Sequence, residues 1–512
     1  EGKQVIVFRP SKGEAKGAAR YLSEYLGLAP ANDLLEAMPK TDLSDASLRL
    51  REALLGGVAF HISDLEAGER LLIEEAFRKK DSAIRVIVAT TTLAMGINTP
   101  AEAVIISGLE HPGKVPTPYS IAEYKNIIGR AGRLGFSERG YSFLLGTSSA
   151  DAHNYWQRYI LGKPEGVISI IFNEYTDLRS LIVRLLVSFP KHVNGNLGVA
   201  KEDIIDFLQS SFGAFHNTRK LNDWSLDDHS IARCLENLQA NQLVKLNAGK
   251  YFKLTPLGRL AGESGVEVES IIRMSNLLNC LSMEDISDPV LIVVAQLSLE
   301  LNKIYVPINS RGATKEMNSW KGELQGQGIS WYILDVLAHG VDDRIAASRY
   351  KKAISCLFWI SNTSMTNIEN TMTRHGGKFD GFSGPLRSVA SRTRDLITVV
   401  ARIAELIHPG SEFSSRMEKL YIRLELGIPS KLCTIAKYLG NQFSRGDYHG
   451  LLSHGLTDWS HVEGFHNDQL LEILSGNEVK LKLLTEGVQN SLRQKDMFRE
   501  NIPFIELPKY EE

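Results

Sequence analysis

Apolar residues follow two different spacings along this chain, and the change between them divides it. Up to about residue 165, short unbroken apolar runs recur: Val5–Phe8, Val58–Leu65 with its trailing loop, Val86–Ala89, Ala103–Gly108 and Tyr141–Leu145. Runs of this length, bounded by Gly, Pro, Ser and Thr, are those of strands buried on both faces of a parallel sheet. Helical patterns lie between them. The spacing predicts helices over Glu14–Leu26 and Glu66–Lys79, the latter with Leu72, Ile73, Ala76 and Phe77 on one side, and a helical stretch within Pro30–Leu55. Repeated strand–loop–helix units predict an α/β domain whose functional loops leave the carboxyl edge of the sheet.

Beyond that point the period is helical. Leu178–Val187 and Lys201–Leu208 read as amphipathic helices, and Ser225 as the cap of a helix reaching Leu238, with Asp228 at its third position. Val244–Leu246 and Tyr251–Leu254 flank the turn Asn247–Lys250 as a hairpin. Helices followed by a small hairpin predict a winged helix. From Glu267 to Pro409 nearly everything reads as helix, with loops expected at Pro307–Gln327 and Gly376–Gly384.

The informative helix there is Pro385–Ile407. At about 100° per residue, Arg387, Ser391, Arg394, Thr398 and Arg402 form one stripe, and Val389, Leu396, Val400, Ile403 and Ile407 take the opposite arc. One side is expected to pack while the other shows cations and hydroxyls, as a solvated face or as a track for a phosphate chain. Trp331 and Trp359 fall in the same region, as core residues or as platforms for a base. Met417–Gly427, Ile428-Pro429-Ser430 and a helix to Leu439 form a helix–hairpin–helix pattern. A second pair begins with Ser444–Ser453 and Gly455, and residues after Asn490 read as a polar tail.

Composition changes this picture little. The 512 residues carry 58 basic and 60 acidic side chains, so any nucleic-acid surface must be a local groove rather than a global basic field. Cys234, Cys280, Cys356 and Cys433 are far apart and form no CxxC pair, which indicates neither zinc nor a disulfide framework and agrees with reduced thiols. The longest apolar stretch, around Val290–Leu301, is too short to span a bilayer. The chain opens directly into a strand without Met, so a piece of a longer protein is expected.

The chemistry is concentrated in two stretches. Tyr124–Leu134, YKNIIGRAGRL, sets Arg130 and Arg133 three residues apart among Gly129, Ala131 and Gly132. One helical turn would put both guanidiniums on one face, and such forks match phosphate. Val86–Asn98, VIVATTTLAMGIN, runs from a buried strand into Thr90, Thr91 and Thr92, then Gly96 and Asn98, where a sheet of this class presents hydroxyls and amides to phosphates. TTTLAMGIN resembles motif V, and IIGRAGRLG motif VI, of superfamily 2 helicases. The variant is that of the Ski2-like group and, within it, the Hel308 type.

That resemblance implies a RecA-like parallel-sheet domain over 1–165, a winged helix over 166–262, a helical ratchet bundle over 263–410, a helix–hairpin–helix module over 411–490 and a tail over 491–512. It gives Arg133 the arginine-finger role and Arg130 a second γ-phosphate contact, and assigns Gly96, Asn98 and Asn126 to the nucleotide. Ser11 and Lys12 match motif IV, and VAFHISDL resembles the family's VAFHHAGL. Ser11, Lys12, His61, Thr90 and Thr92 would therefore touch the nucleic-acid backbone, with Arg387, Arg394 and Arg402 along the ratchet helix. The proline-rich Leu109–Tyr119 takes the place of a strand-separating hairpin. The sequence departs from the family at Asn126, where Gln is usual, at Ile62 and Ser63-Asp64, and in a terminal basic run reduced to Arg445.

No GxxxxGK[ST] and no DExH or DExD box occurs in these residues. ATP and Mg2+ would then be held mainly by a first RecA-like domain outside this sequence. No metal ligands are expected here. The implied partners are single-stranded DNA or a duplex with a 3′ overhang, that first domain and a partner protein, with no membrane and a cytoplasmic or nucleoid-associated setting. Rivals are a Ski2-type RNA helicase, a non-catalytic binding scaffold, and a motor in an antiviral complex.

Overall fold

The computed structural model describes residues 3–500 except 80, 95–100, 114, 133–138, 173–175, 190–196, 222–227, 310, 376–380 and 411–412, and omits the side chains of 92, 94, 220, 221, 414, 415 and 494–500. Five parallel strands open the chain: β1 (Val5–Phe8), β2 (Val58–His61), β3 (Val86–Ala89), β4 (Ala103–Ile106) and, after a small hairpin, β7 (Tyr141–Leu144). Their order is β2-β3-β1-β4-β7, with Val5 level with Val86 on one side and Ala103 on the other. Parallel neighbours need crossovers. These include α1 (Lys12–Tyr25), α2 (Asn32–Ala37), α3 (Asp45–Leu54), α4 (Ala67–Arg78) and α5 (Ile121–Ile128). From β1 the chain leaves toward one edge of the sheet and from β3 toward the other, which opens a crevice where their carboxyl ends lie side by side.

Leu109–Tyr119 does form a hairpin, β5 (Glu110–His111) against β6 (Thr117–Pro118), with Pro118 at the end of a two-residue strand that needs no further N–H. After α6 (Ser149–Tyr155) come α7 (Leu178–Ser188), β8 (Val199–Ala200), α8 (Lys201–Gln209), α9 (Phe212–Leu221) and α10 (Asp228–Ala240). The hairpin β9 (Val244–Asn247) and β10 (Tyr251–Leu254) follows, joined by β8 in a three-stranded sheet, and then α11 (Pro256–Ser264). Ala248 and Gly249 both have positive φ, +48° and +68°, the geometry a two-residue turn needs to follow strand twist. The expected cap, Ser225, lies outside the described residues.

The next helices are α12 (Val268–Asn279), α13 (Asp288–Ala295), α14 (Leu299–Asn302), α15 (Ala313–Gly326), α16 (Trp331–Ala338), α17 (Asp343–Trp359) and α18 (Met365–Thr373). They surround the 25-residue α19 (Ser383–Ile407). Leu386, Val389, Leu396, Val400 and Ile403 are buried in its packed arc while Ser391, Thr398 and Arg402 face solvent, so the stripe read from the periodicity is present. Among the described residues no helix is long and apolar enough to cross a membrane.

One expectation is overturned. Most of the loop expected at Pro307–Gln327 is α15. Its Gly and Pro neighbours mask a helical spacing of Ala313, Met317, Trp320 and Leu324, and Trp320 is fully buried with its Nε1 on Glu316 Oε1 at 3.0 Å. The polar tail expected after Asn490 begins as helix. Following α20 (Phe413–Leu426), α21 (Cys433–Leu439), α22 (Arg445–Ser453), α23 (Trp459–Glu463) and α24 (Asn467–Ile473), the last helix α25 (Glu478–Glu500) continues to residue 500. Leu484 buries its apolar side against the module, which holds a helix whose own sequence is polar.

The bundle also buries Lys352, with Nζ on Leu301 O at 2.6 Å. Burial, and then the charge of Arg349, lowers its pKa from 10.5 to about 8. Below pH 8 both folded and unfolded chains carry this proton, and the desolvation penalty is constant. Between 8 and 10.5 only the unfolded chain holds it, so stability rises with pH through this window. Lys352→Met is therefore expected to stabilise the bundle by about 2 kcal/mol at pH 7, with no gain left above about pH 10.5, as read by denaturant titration at several pH values.

Candidate nucleotide and nucleic-acid interface

The carboxyl edge of the sheet is knitted together by β1's exit. Arg9 N donates to Ala89 O at 2.8 Å, so the loop stays level with β3. Its Nη1 donates to Ser107 Oγ at 2.9 Å, and Ser107 Oγ donates to Phe8 O at 3.0 Å. Ser11 caps α1, its Oγ accepting from Glu14 N at 3.2 Å. Lys12, the first residue of that helix, pairs with Asp64 Oδ1 at 2.6 Å.

Motif V begins at this edge, and the described end of motif VI is joined to Ala101, ahead of the amino end of β4. β3 ends at Ala89, Thr90 is buried, and a single 3-10 turn covers Thr91–Ala94. α5 is closed at its start by Ser120 and Glu123, which exchange bonds with each other's backbone N–H at 2.7 and 3.1 Å, and packs against that turn. The helix stops at Ile128. Arg130 therefore lies beyond the helix, contrary to the helical turn expected from the spacing, and Arg133 lies outside the described residues. Instead Ala101 N donates to Arg130 O and Gly132 N to Ala101 O, both at 3.0 Å. The segment becomes a short parallel bridge to the residues following motif V. Gly132 has φ +69°, and a Cβ on it would overlap the backbone of Gly140, so glycine is required twice over.

Arg130 is 7% exposed and Asn126 is exposed on α5. Arg133, Gly96 and Asn98 lie outside the described residues, as does the side chain of Thr92. His61 is 2% exposed, and its Nε2 lies 2.9 Å from Glu74 Oε1. Burial lowers its pKa, opposed by Glu74. The ring is thus tied to α4 beneath the loop.

On the ratchet helix the three arginines differ. Arg387 donates to Asp64 O. Arg394 is paired with Glu425 and with Asp395 at 2.6 Å, and lies over the Tyr421 ring at 5.3 Å. Arg402 is exposed, in a cleft of about 260 Å³ shared with Pro256, Arg259 and Glu263 of α11. Of the two tryptophans, Trp331 is 66% exposed, whereas Trp359 is buried with its Nε1 on Leu424 O at 2.9 Å.

The spacing of residues gave no sign of the carboxylates that join these layers. Glu369 accepts from the N–H groups of Phe382 and Ser383 at the start of α19, and from Asp45 N of α3 at 2.9 Å. Asp42 accepts from Met365 N at 2.7 Å and pairs with Arg445. Arg445, read from the sequence as the remnant of a nucleic-acid-binding run, is buried and serves as an internal clamp. The only local signals were the unusual Ser63-Asp64 and the isolation of Arg445.

A family profile described as helicase conserved C-terminal domain matches residues 1–135. Among curated proteins, the chain is 26% identical over 488 residues to the ATP-dependent DNA helicase Hel308 of Pyrococcus horikoshii, covering 92% of this chain and 62% of that protein. It is 26% identical over 460 residues to Hel308 of Caldivirga maquilingensis, covering 84% and 56%. Over 172 residues it is 37% identical to Hel308 of Thermoplasma volcanium. The chain thus spans less than two thirds of the length of these relatives. With the parallel sheet and the long central helix, these matches make the chain similar, over most of its length, to the C-terminal part of the Hel308 helicases, with a helicase conserved C-terminal domain at its start.

Proposed function

We propose that this chain is the rear half of an ATP-dependent 3′–5′ DNA helicase, supplying arginine fingers and the path of the single strand. The observation that supports the reading is the packing of α5 against the Thr91–Ala94 turn that leaves the carboxyl end of β3, while the Ala101 bridge holds the segment after α5 next to the residues that lead into β4. Arg133 acts as the finger and Arg130 shapes its loop and contributes a second cation toward the γ-phosphate. The resemblance assigns Gly96, Asn98 and Asn126 to the nucleotide as well.

ATP supplies the free energy of strand movement. Among the described residues there is no group of three His, Cys, Asp or Glu side chains able to hold a metal ion, and the sequence has no phosphate-cradling loop. By the resemblance, the nucleotide and Mg2+ rest mainly on a first RecA-like domain. Polarity and the preference for DNA follow from the resemblance. On the strand side, Ser11, Lys12 and Thr90 stand at the sheet edge, Thr92 is assigned to the strand by the resemblance, and Arg402, Ser391 and Thr398 continue along α19. Wedge action by β5–β6 belongs to the same proposal.

The test is strand separation by the full-length protein on DNA and RNA duplexes with either overhang. ATP-dependent opening of 3′-tailed DNA supports the reading, and equal opening of RNA favours an RNA helicase. Because Arg402 is exposed, Arg402→Ala is expected to weaken binding of an oligothymidine several-fold and to reduce the salt slope by about 0.7, the share of one phosphate contact on a single strand. An unchanged slope, measured by anisotropy across a salt series, would remove Arg402 from the path.

A further inference from the structure

Asp64 occupies an unusual place. It lies in the loop after β2, is 3% exposed, and its carboxylate meets Lys12 Nζ at 2.6 Å. The carboxylate also fills the space that a Cβ on Gly384 would take, in the first turn of α19. Its backbone carbonyl accepts from Ser383 Oγ at 3.0 Å and from Arg387. The carboxylate is therefore fixed from behind, by a helix N-terminus whose dipole favours an anion. Lys12 is the free end of the pair: its side chain is 40% exposed, against 4% for that of Asp64.

The geometry points to Asp64 as a built-in counter-anion that sets strand affinity by standing where a backbone phosphate would otherwise sit on Lys12. This rests on the reading of Lys12 as a nucleic-acid contact and adds to it a residue that opposes binding. A lysine held by a fixed carboxylate offers an arriving phosphate only part of its charge, and the carboxylate repels that phosphate at close range. The strand must share Lys12 or draw it away from Asp64. The cost falls on every nucleotide that passes, independent of sequence, so the device keeps the grip loose where a motor has to release and rebind. The same residue keeps α19 docked through its carbonyl, a bond that a side-chain substitution leaves in place.

The experiment uses full-length protein and a fluorescent oligothymidine, with binding followed by anisotropy over a salt series. Asp64→Asn keeps the shape, the carbonyl bonds and an oxygen acceptor for Lys12, and removes only the charge. It is expected to bind about three- to tenfold more tightly at low salt, with a slope steeper by up to about 0.7. Lys12→Ala should cost more in the Asp64→Asn background than in the wild type, because only there is Lys12 uncommitted. Asp64→Gly, which removes the side chain altogether, should bind more tightly in the same way. Thermal melting establishes that each variant is folded. Weaker or unchanged binding by folded Asp64→Asn, with Lys12→Ala costing the same in both backgrounds, overturns the proposal and makes Asp64 a positioning group for Lys12. If folded wild type does not bind the oligonucleotide at all, the nucleic-acid reading itself fails, and this proposal with it.

Discussion

Arg133→Ala is expected to lower ATP turnover by the full-length protein about a thousandfold, in line with the loss of other arginine fingers, while oligothymidine binding stays near wild type. A finger acts on charge that develops in the transition state, so its loss appears in turnover rather than in strand affinity. Arg133→Lys should rescue little, because an ammonium cannot reproduce the planar fork. Arg130→Ala should behave differently. Arg130 is buried, so replacing its side chain is expected to lower thermal stability together with turnover. Turnover of Arg133→Ala within tenfold of wild type would sink the finger assignment. Steady-state kinetics with saturating single-stranded DNA decides it.

The second large effect is on stability. Arg445→Ala is expected to cost about 3–5 kcal/mol, because it leaves a buried carboxylate uncompensated. Arg445 donates through Nε to Gly427 O at 2.7 Å and through Nη2 to Thr363 O at 2.6 Å, pairs with Asp42, and lies 4.8 Å over the Trp359 ring. Asp42 is itself held at φ +56°, and its other oxygen takes Met365 N at the start of α18. One guanidinium thus joins the first domain, the bundle and the terminal module. Desolvation lowers its pKa, with Asp42 opposing, yet an arginine stays charged through the working range. Chemical denaturation with hydrogen exchange across α18 and α22 is the measurement. The double variant Asp42→Asn with Arg445→Met should lose less than the two single losses combined, since the pair is removed as a unit. A loss below about 1 kcal/mol for Arg445→Ala would mean that the junction adds nothing beyond an ordinary surface pair.

Much of the site's outline was legible before any coordinates. Val86–Ala89 is an unbroken apolar run because it is the buried strand next to β1, and the Thr-rich stretch after it falls where the chain has to turn at the sheet edge. The stripe of Arg387, Ser391, Arg394, Thr398 and Arg402 survives in α19, since a 3.6-residue period is a property of the chain itself. What misled was context. Gly312, Gly322 and Gly326 disguise α15, whose stability comes from Trp320 and Glu316 meeting Lys351 of α17. The polar end of α25 is helical because its preceding turns are anchored by Leu484.

The sequence by itself determined the order of strands and helices, the faces they bury and the two motifs that carry the resemblance to helicases, because all of these are carried by spacings of a few residues. Tertiary structure alone decided which charges are used up inside the protein. Asp42 and Arg445 are 403 positions apart, and Asp64 and Arg387 are 323 apart, distances over which no local pattern marks a partner. It also decided that Arg130 leaves its helix, since the bond that draws it away comes from Ala101, across the sheet edge rather than along the chain. How much of a cation counted in the sequence is left for a phosphate depends on the carboxylates that folding brings to it, and that outcome is a matter of packing and desolvation, not of composition.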